Sequence, residues 1–242
     1  MRFRLISYNI HKGIGGVDRR YRLDRIVDTL RHYDPDIVFL QEVADGMPRA
    51  RRHRQTDLLG EQLNLPHRAY QQNVLLAEGH YGNAILSRFP LFDISDIDLT
   101  VPPKKRRRAL LAGCRIRGQH ERTLLLLNTH LGLAGFERVK QVQRILNCER
   151  LQHVHGSTPV IVGGDYNDVY GTLNKRLMEP GGFRTASRRV RTFPAVMPIN
   201  TLDHIYYRGS IVLHLSFPCR RQIARQASDH LPLVADFELP VE

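Results

Sequence analysis

The stretch "VIVGGDYND", residues 160–168, runs from three apolar residues through two glycines into Asp165, Asn167 and Asp168. Its first half has the β-branched, apolar composition of a buried strand, and the strand stops where the acids begin. Asn and Asp are ordinary turn residues, so alone the stretch reads equally as a loop or as the edge of an active site. The same layout recurs along the chain. "LISYN" ends in Asn9, "IVFLQE" in Glu42, and "LLLLNTH" in Asn128 and His130. "TLD" sets Asp203 at the front of a strand over 202–207, and "SDH" sets Asp229 and His230 at the front of the last one. Antiparallel neighbours bring one strand's end beside the next strand's beginning, so these groups are expected to gather at a single rim.

Apolar runs at 3–10, 37–41, 73–77, 83–87, 109–116, 123–128, 160–163, 202–207, 211–217 and 231–237 are the strand candidates. Leu23, Ile26, Val27 and Leu30 form one helical stripe. Val139, Val142, Ile145 and Leu146 form a second, on a helix running to about His153, and Thr56–Leu63 suggests a third. Strands outnumber helices, and short turns such as "AEGHYG" (77–82) argue against a uniform βαβ succession. About ten strands exceed what one twisted sheet holds, so two mixed sheets packed face to face, with helices outside, are expected. With 242 residues, no dividing linker and no internal repeat, the expectation is a single domain over 1–242.

Composition narrows the setting. A hydrophobic fraction of 42% supports a core without disulfides or metal. Cys114, Cys148 and Cys219 are odd in number and follow no zinc-like spacing, which favours a reducing compartment. No signal-peptide pattern opens the chain and no eighteen apolar residues run together, so a cytoplasmic location without a transmembrane segment is expected. Net charge is +12, clustered in "RARRHR" (49–54), "KKRRR" (104–108), "RRVR" (188–191) and "RRQIAR" (220–225). Such runs suit solubility, and they equally suit a polyanionic partner, either nucleic acid or an anionic lipid surface. No protein partner is indicated.

The polar set is chemically coherent. Glu42, Asp229 and Asn9 offer hard oxygen ligands for Mg²⁺ or Mn²⁺ rather than zinc. His230 is suited to accept a proton near neutral pH, with Asp203 orienting its ring. Asn167, Asn83 and His130 are candidate donors to phosphate oxygens as charge builds on them. No cysteine lies near a candidate base and no GxSxG elbow occurs, which disfavours a covalent hydrolase. "KGIGG" lacks the GK[ST] ending of a phosphate-binding loop.

Taken in order, "YNIHKG" (8–13), "LQEV" (40–43), "GNAILSR" (82–88), "NTHLG" (128–132), "GGDYND" (163–168), "LDHIY" (202–206) and "SDHLPL" (228–233) resemble the endonuclease/exonuclease/phosphatase superfamily, in its small bacterial single-domain form. The resemblance implies a four-layer α/β sandwich and hydrolysis of a phosphate ester by metal-activated water. It makes Glu42 the principal metal-binding residue, with Asn9 and Asp229 beside the metal. His230 and Asp203 match the family's His–Asp pair. Asp165 matches the acid that activates water or protonates the leaving oxygen, Asn167 its phosphate-binding partner, and His130 a contact to the scissile phosphate. Whether His230 or Asp165 is the base stays open. The absence of Trp disfavours the exonuclease III-type branch, and the inositol phosphatase signatures are replaced by "GGDYND" and "LDHIYY".

The expectation is therefore a Mg²⁺- or Mn²⁺-dependent phosphodiesterase, with nucleic acid the first-choice substrate. A phospholipid headgroup or a phosphomonoester is the alternative at the same centre. A catalytically inert nucleic-acid-binding module would lack catalytic positions, and none is missing. Lys12 is read as a surface lysine, with a phosphate contact the alternative, and Arg191 in "RTFP" is read the same way, with a substrate contact the alternative. Asp168 is expected to point away from the site and serve a turn or helix cap.

Overall fold

The computed structural model describes residues 1–117, 121–188 and 190–240. One sheet comprises β1 (Arg2–Asn9), β2 (Ile37–Asp45), β3 (His67–Leu75), β4 (His80–Ser87), β11 (Val212–Pro218) and β12 (Leu233–Glu238). Its order is β11-β12-β1-β2-β4-β3. The second comprises β5 (Leu91–Asp98), β6 (Arg108–Arg117), β7 (Glu121–His130), β8 (Val160–Asp165), β9 (Arg184–Thr185) and β10 (Asp203–Arg208), in the order β5-β6-β7-β8-β10-β9. Each sheet has one parallel pair, β1 with β2 and β7 with β8, and antiparallel neighbours elsewhere. A parallel pair needs a crossover, here α1 (Leu23–Arg31) in the first sheet and α3 (Gly135–Leu146) with α4 (Glu149–His153) in the second.

Period-two alternation divides the strand residues between three apolar layers. Phe3, Leu5, Ile37 and Phe39 meet Leu124, Leu126, Ile161 and Ile205 between the sheets. Ile6, Tyr8, Val38 and Leu40 face outward onto Ile26, Val27 and Leu30 of α1 and Leu59 of α2 (Gln55–Gln62). Leu125, Leu127, Val160 and Val162 face Val142 and Ile145 of α3. The result is the expected four-layer α/β sandwich.

Several elements depart from the sequence reading. Residues 67–75 form β3, where only 73–77 are apolar enough to suggest a strand. The segment "LFDISDID" forms β5, although its acids hide the pattern. Both are outermost strands with one free edge, and β5 is mostly exposed, so neither needs a continuous apolar run. The second predicted helix breaks at Asn147 and resumes as α4 after Cys148. The basic run at 220–225 enters a short helix, α5 (Gln222–Ala227).

The inter-sheet layer changes character as the strands climb. Above the apolar floor lies a hydrogen-bonded tier in which the Gln41 amide donates to Asn128 Oδ1 at 2.7 Å and to Ser7 Oγ at 3.4 Å. Two residues further along, the same inward parity delivers Asn9, His130 and Asp165. Register completes the set, because Asp165 is opposite both His130 of β7 and Asp203 of β10. Gly164 makes this register possible. It sits at φ +138°, and a Cβ there would lie 1.8 Å from the Thr129 carbonyl oxygen.

Candidate active site

Asp165 Oδ2 is the focus of the rim. Asn9 Nδ2 donates to it at 3.0 Å, while His130 Nε2 and His230 Nε2 stand 3.5 and 3.6 Å away, beyond good hydrogen-bond length. Its other oxygen, Oδ1, accepts the Asn167 backbone N–H at 3.0 Å. The carboxyl is 1% exposed, and burial, opposed by the His230 charge, raises its pKa to about 6.

Behind His230 stands Asp203. Its Oδ2 accepts the His230 Nδ1–H at 2.9 Å and the Thr192 hydroxyl at 2.5 Å. Burial works against a charged imidazole, but Asp203 and Asp165 outweigh it, and the His230 pKa is pushed up to about 10. The ring is thus an imidazolium between two carboxylates, with Phe193 packed against it at a centroid distance of 4.9 Å. His130 behaves oppositely. Burial, with Arg107, His230 and Lys12 adding to it, holds its pKa well below the ordinary histidine value. Burial disfavours the charged form of both rings; the two carboxylates overcome it at His230, whereas Arg107 and Lys12 reinforce it at His130.

Glu42 and Asp229 stand on the side of the rim nearest Asn9. Glu42 lies in the β-bulge between Leu40 and Val43 at φ +54°, a backbone state that costs a non-glycine residue roughly 1–3 kcal/mol. Its carboxylate pairs with the Lys12 ammonium, which also lies 4.8 Å from the centre of the Tyr81 ring. Lys12 is therefore mostly buried in the site, not a free surface lysine. Asp229 is about a third exposed, with His11 Nδ1 3.9 Å away.

No three His, Cys, Asp or Glu side chains among the described residues form a ready-made metal cage. The donor set still suits Mg²⁺, which keeps several waters and takes one or two carboxylates plus substrate oxygens. Glu42 and Asp229 are the carboxylates available to such an ion. Asn9 Oδ1 already accepts the His11 N–H, so its remaining lone pair is what it has for a metal.

The other expected residues divide. Asn167 is not a continuation of β8 but a left-handed residue at φ +50°, set there by the turn that Asp165 Oδ1 closes. Its amide donates to the Leu131 carbonyl, which keeps it at the rim. Asp168 is structural, its Oδ2 accepting the Leu173 N–H at 2.8 Å. Asn83 is buried and not joined to the Asp165 network. Its amide donates to the Arg108 carbonyl at 3.0 Å, steadying the segment that carries Arg107. Asn128 is likewise a strut, donating to the Leu40 and Ala84 carbonyls of the opposite sheet.

Three participants were not singled out in the sequence. Thr192 and Phe193 lie in the irregular segment before β10, where no periodicity marks them. Arg107 belongs to the run 104–108 but is 8% exposed, its field reaches His130 and Tyr81, and its Nε has no hydrogen-bond partner. Its burial, the one signal separating it from its neighbours, belongs to the fold and not to the sequence.

A buried acid lies between two histidines of opposite pKa shift, with Glu42 and Asp229 on the same rim. The family model of the Endonuclease/Exonuclease/phosphatase family matches residues 6–230, and the chain belongs to that family. Its members hydrolyse phosphoester bonds and typically use divalent metals. The chain is 32% identical to the protein YbhP of Escherichia coli K12 over 98% of its own length and 96% of YbhP. It is also similar to the endonuclease/exonuclease/phosphatase structure from Beutenbergia cavernae, with TM-score 0.79 and 21% identity over 98% of this chain and 72% of that one. ANGEL2, a 2′,3′-cyclic phosphatase seen with adenosine-2′,3′-vanadate, superposes with TM-score 0.74 and 17% identity, covering 100% of this chain and 96% of its own.

Proposed function

We propose that this chain is a divalent-metal-dependent phosphodiesterase that transfers a phosphoryl group to water. The observation that carries the reading is the convergence of Asn9, His130 and His230 on one buried Asp165 oxygen. The gaps of 3.5 and 3.6 Å leave the two imidazole N–H groups free to turn to phosphate oxygens.

Asp165 is the proton acceptor. At neutral pH a carboxyl with a pKa of about 6 is largely ionised, whereas His230 already holds its proton. Asp165 takes a proton from the attacking water as the new P–O bond forms and the bond to the leaving oxygen breaks. His230 Nε2–H and neutral His130 donate to the phosphoryl oxygens, where negative charge grows. Asp203 and Thr192 fix the His230 ring, and Asn9 and the Asn167 backbone fix Asp165. Glu42, Asp229 and Asn9 would hold Mg²⁺ or Mn²⁺, which supplies Lewis-acid stabilisation of phosphate and leaving-group charge. Lys12 and Arg107 add positive charge on the substrate side.

The substrate is a phosphodiester of a polyanion. The basic balance favours nucleic acid, and the adenosine-2′,3′-vanadate complex of ANGEL2 supports a nucleotide ester in this fold. A lipid headgroup is the second reading, favoured by apolar side chains exposed along the rim. Turnover of single-stranded DNA, duplex DNA, RNA and phospholipid vesicles, compared with Mg²⁺, Mn²⁺ and EDTA, tests the assignment. Metal-dependent turnover of one class, abolished by EDTA and by Glu42→Ala, is expected. Equal turnover in EDTA would exclude the mechanism.

A further inference from the structure

A cavity of about 630 Å³ opens at the β9 edge of the second sheet, lined by none of the residues assigned to the chemistry. Its volume is that of a small-molecule site. β10 stands between this cavity and the catalytic centre. Asp203 faces His230, whereas His204, the next residue, faces the opposite way, onto Tyr166 and Tyr206, and lines the cavity. The mouth is cationic. Arg188, Arg191 and Arg220 line it, all three exposed, from the β9–β10 connection and the entry to α5. None of their side chains has an ion pair or hydrogen bond among the described residues, whereas Arg4, Arg25, Arg88 and Arg108 each meet a carboxylate. Three unpaired guanidinium groups around one opening repel one another, and a bound anion relieves that repulsion. The planar fork of arginine matches a phosphate in particular.

The deeper wall is polar and neutral. Ser187 and His204 are 2% and 6% exposed. Ser187 Oγ lies 2.9 Å from His204 Nδ1, and the other ring nitrogen, Nε2, is buried without a partner. Burial holds the His204 pKa below the ordinary histidine value, against the fields of Asp168 and Asp203, so the ring is a neutral hydrogen-bonding group. Asn174 also lines the cavity. Its amide donates to Glu179 Oε1 at 2.7 Å, which leaves Oδ1 as a second buried atom without a partner. Unpaired buried polar atoms cost free energy, so two in one cavity point to a ligand that completes them. Asp168 does not neutralise the arginines, because the Leu173 N–H and the Thr172 hydroxyl hold its carboxylate. Val169 and Ile199 add an apolar wall. Phosphate alone would use the arginines and leave His204 Nε2 and Asn174 Oδ1 unpaired. The edge of a nucleobase, an amino group beside a ring nitrogen, offers both of them a partner, and its face suits Val169 and Ile199.

We propose that this cavity is a second binding site, for a nucleoside monophosphate, with the phosphate at the arginine mouth and the base against His204 and Asn174. The site is separate from the chemistry at Asp165 and does not depend on the phosphodiesterase reading.

Isothermal titration calorimetry of the full chain with AMP reads the binding, in EDTA so that no metal loads the catalytic rim. Ribose 5-phosphate and inorganic phosphate are titrated beside it. AMP is expected to bind at one site and more tightly than either. Arg191→Gln with Arg220→Gln should weaken AMP by about tenfold or more, the scale of losing a charge-assisted contact to phosphate. His204→Phe keeps a ring in place and should weaken AMP while leaving inorganic phosphate unchanged. Arg107→Met, at the catalytic rim, should leave AMP binding as it is. Unchanged melting temperatures confirm that the variants fold. No AMP binding, or AMP binding that Arg107→Met abolishes and the double arginine variant retains, would overturn the proposal. So would inorganic phosphate binding as tightly as AMP, since the cavity would then be a simple anion site. Tighter binding of a 5′-phosphorylated oligonucleotide than of AMP would also overturn it, as the cavity would then be part of a strand-binding face.

Discussion

His230 is an imidazolium because two carboxylates surround it, and this has a measurable cost. A group whose folded pKa of about 10 exceeds its unfolded value near 6.5 stabilises the fold fully below pH 6.5. That contribution drains as pH rises towards 10, by about 1.4 kcal/mol per pH unit. Thermal denaturation in EDTA should therefore show wild type losing stability between pH 7 and 9 more steeply than His230→Gln; parallel curves would contradict the assignment. Arg107 makes a second prediction. Replacing this buried cation near His130 with methionine should lower kcat/KM by about a hundredfold, the scale of losing one aimed donor, with little change in melting temperature. At this scale the sequence was a good guide where strand ends carried an acid or a histidine. Asp165, His130 and Asp203 were legible because they end or begin neighbouring strands in register, and His230 because it stands in the turn that enters the last strand. Asn83 is buried with its amide nitrogen donating to the Arg108 carbonyl and its Oδ1 without a partner, an arrangement that no local pattern reveals.

At the scale of elements, the site stands on the polar tier beneath it. Asn128 joins β7 to β2 and β4 through bonds of 2.8 and 2.9 Å to backbone carbonyls and accepts the Gln41 amide at 2.7 Å. Asn128→Leu leaves those buried groups unpaired and should cost about 3 kcal/mol of stability by urea denaturation. A change below the error of that measurement would mean that the tier is not a brace. The central strands and α1 announced themselves through apolar pattern, since each is packed on at least one face. β3 and β5 did not, because outermost strands tolerate polar residues that interior strands exclude. The bulge that carries Glu42 was also invisible, as a left-handed residue inside an apolar run leaves no compositional trace.

Across the whole molecule, both sheets direct their parallel pairs to the same rim, so the polar site residues and the basic runs collect at one end. The four-layer sandwich and the rim were anticipated from the order of the motifs. The charge runs were visible too, but their shared location depends on sheet order, which no local pattern reveals. That location turns an overall charge of +12 into a directional surface. The proposed chemistry turns on Asp165 as the proton acceptor. The most direct test is Mg²⁺-dependent hydrolysis of bis(4-nitrophenyl) phosphate by wild type and Asp165→Asn, whose side chains have nearly the same shape. The expected result is a loss in kcat of about a thousandfold with metal binding retained. A variant within a few fold of wild type would exclude Asp165 as the proton acceptor.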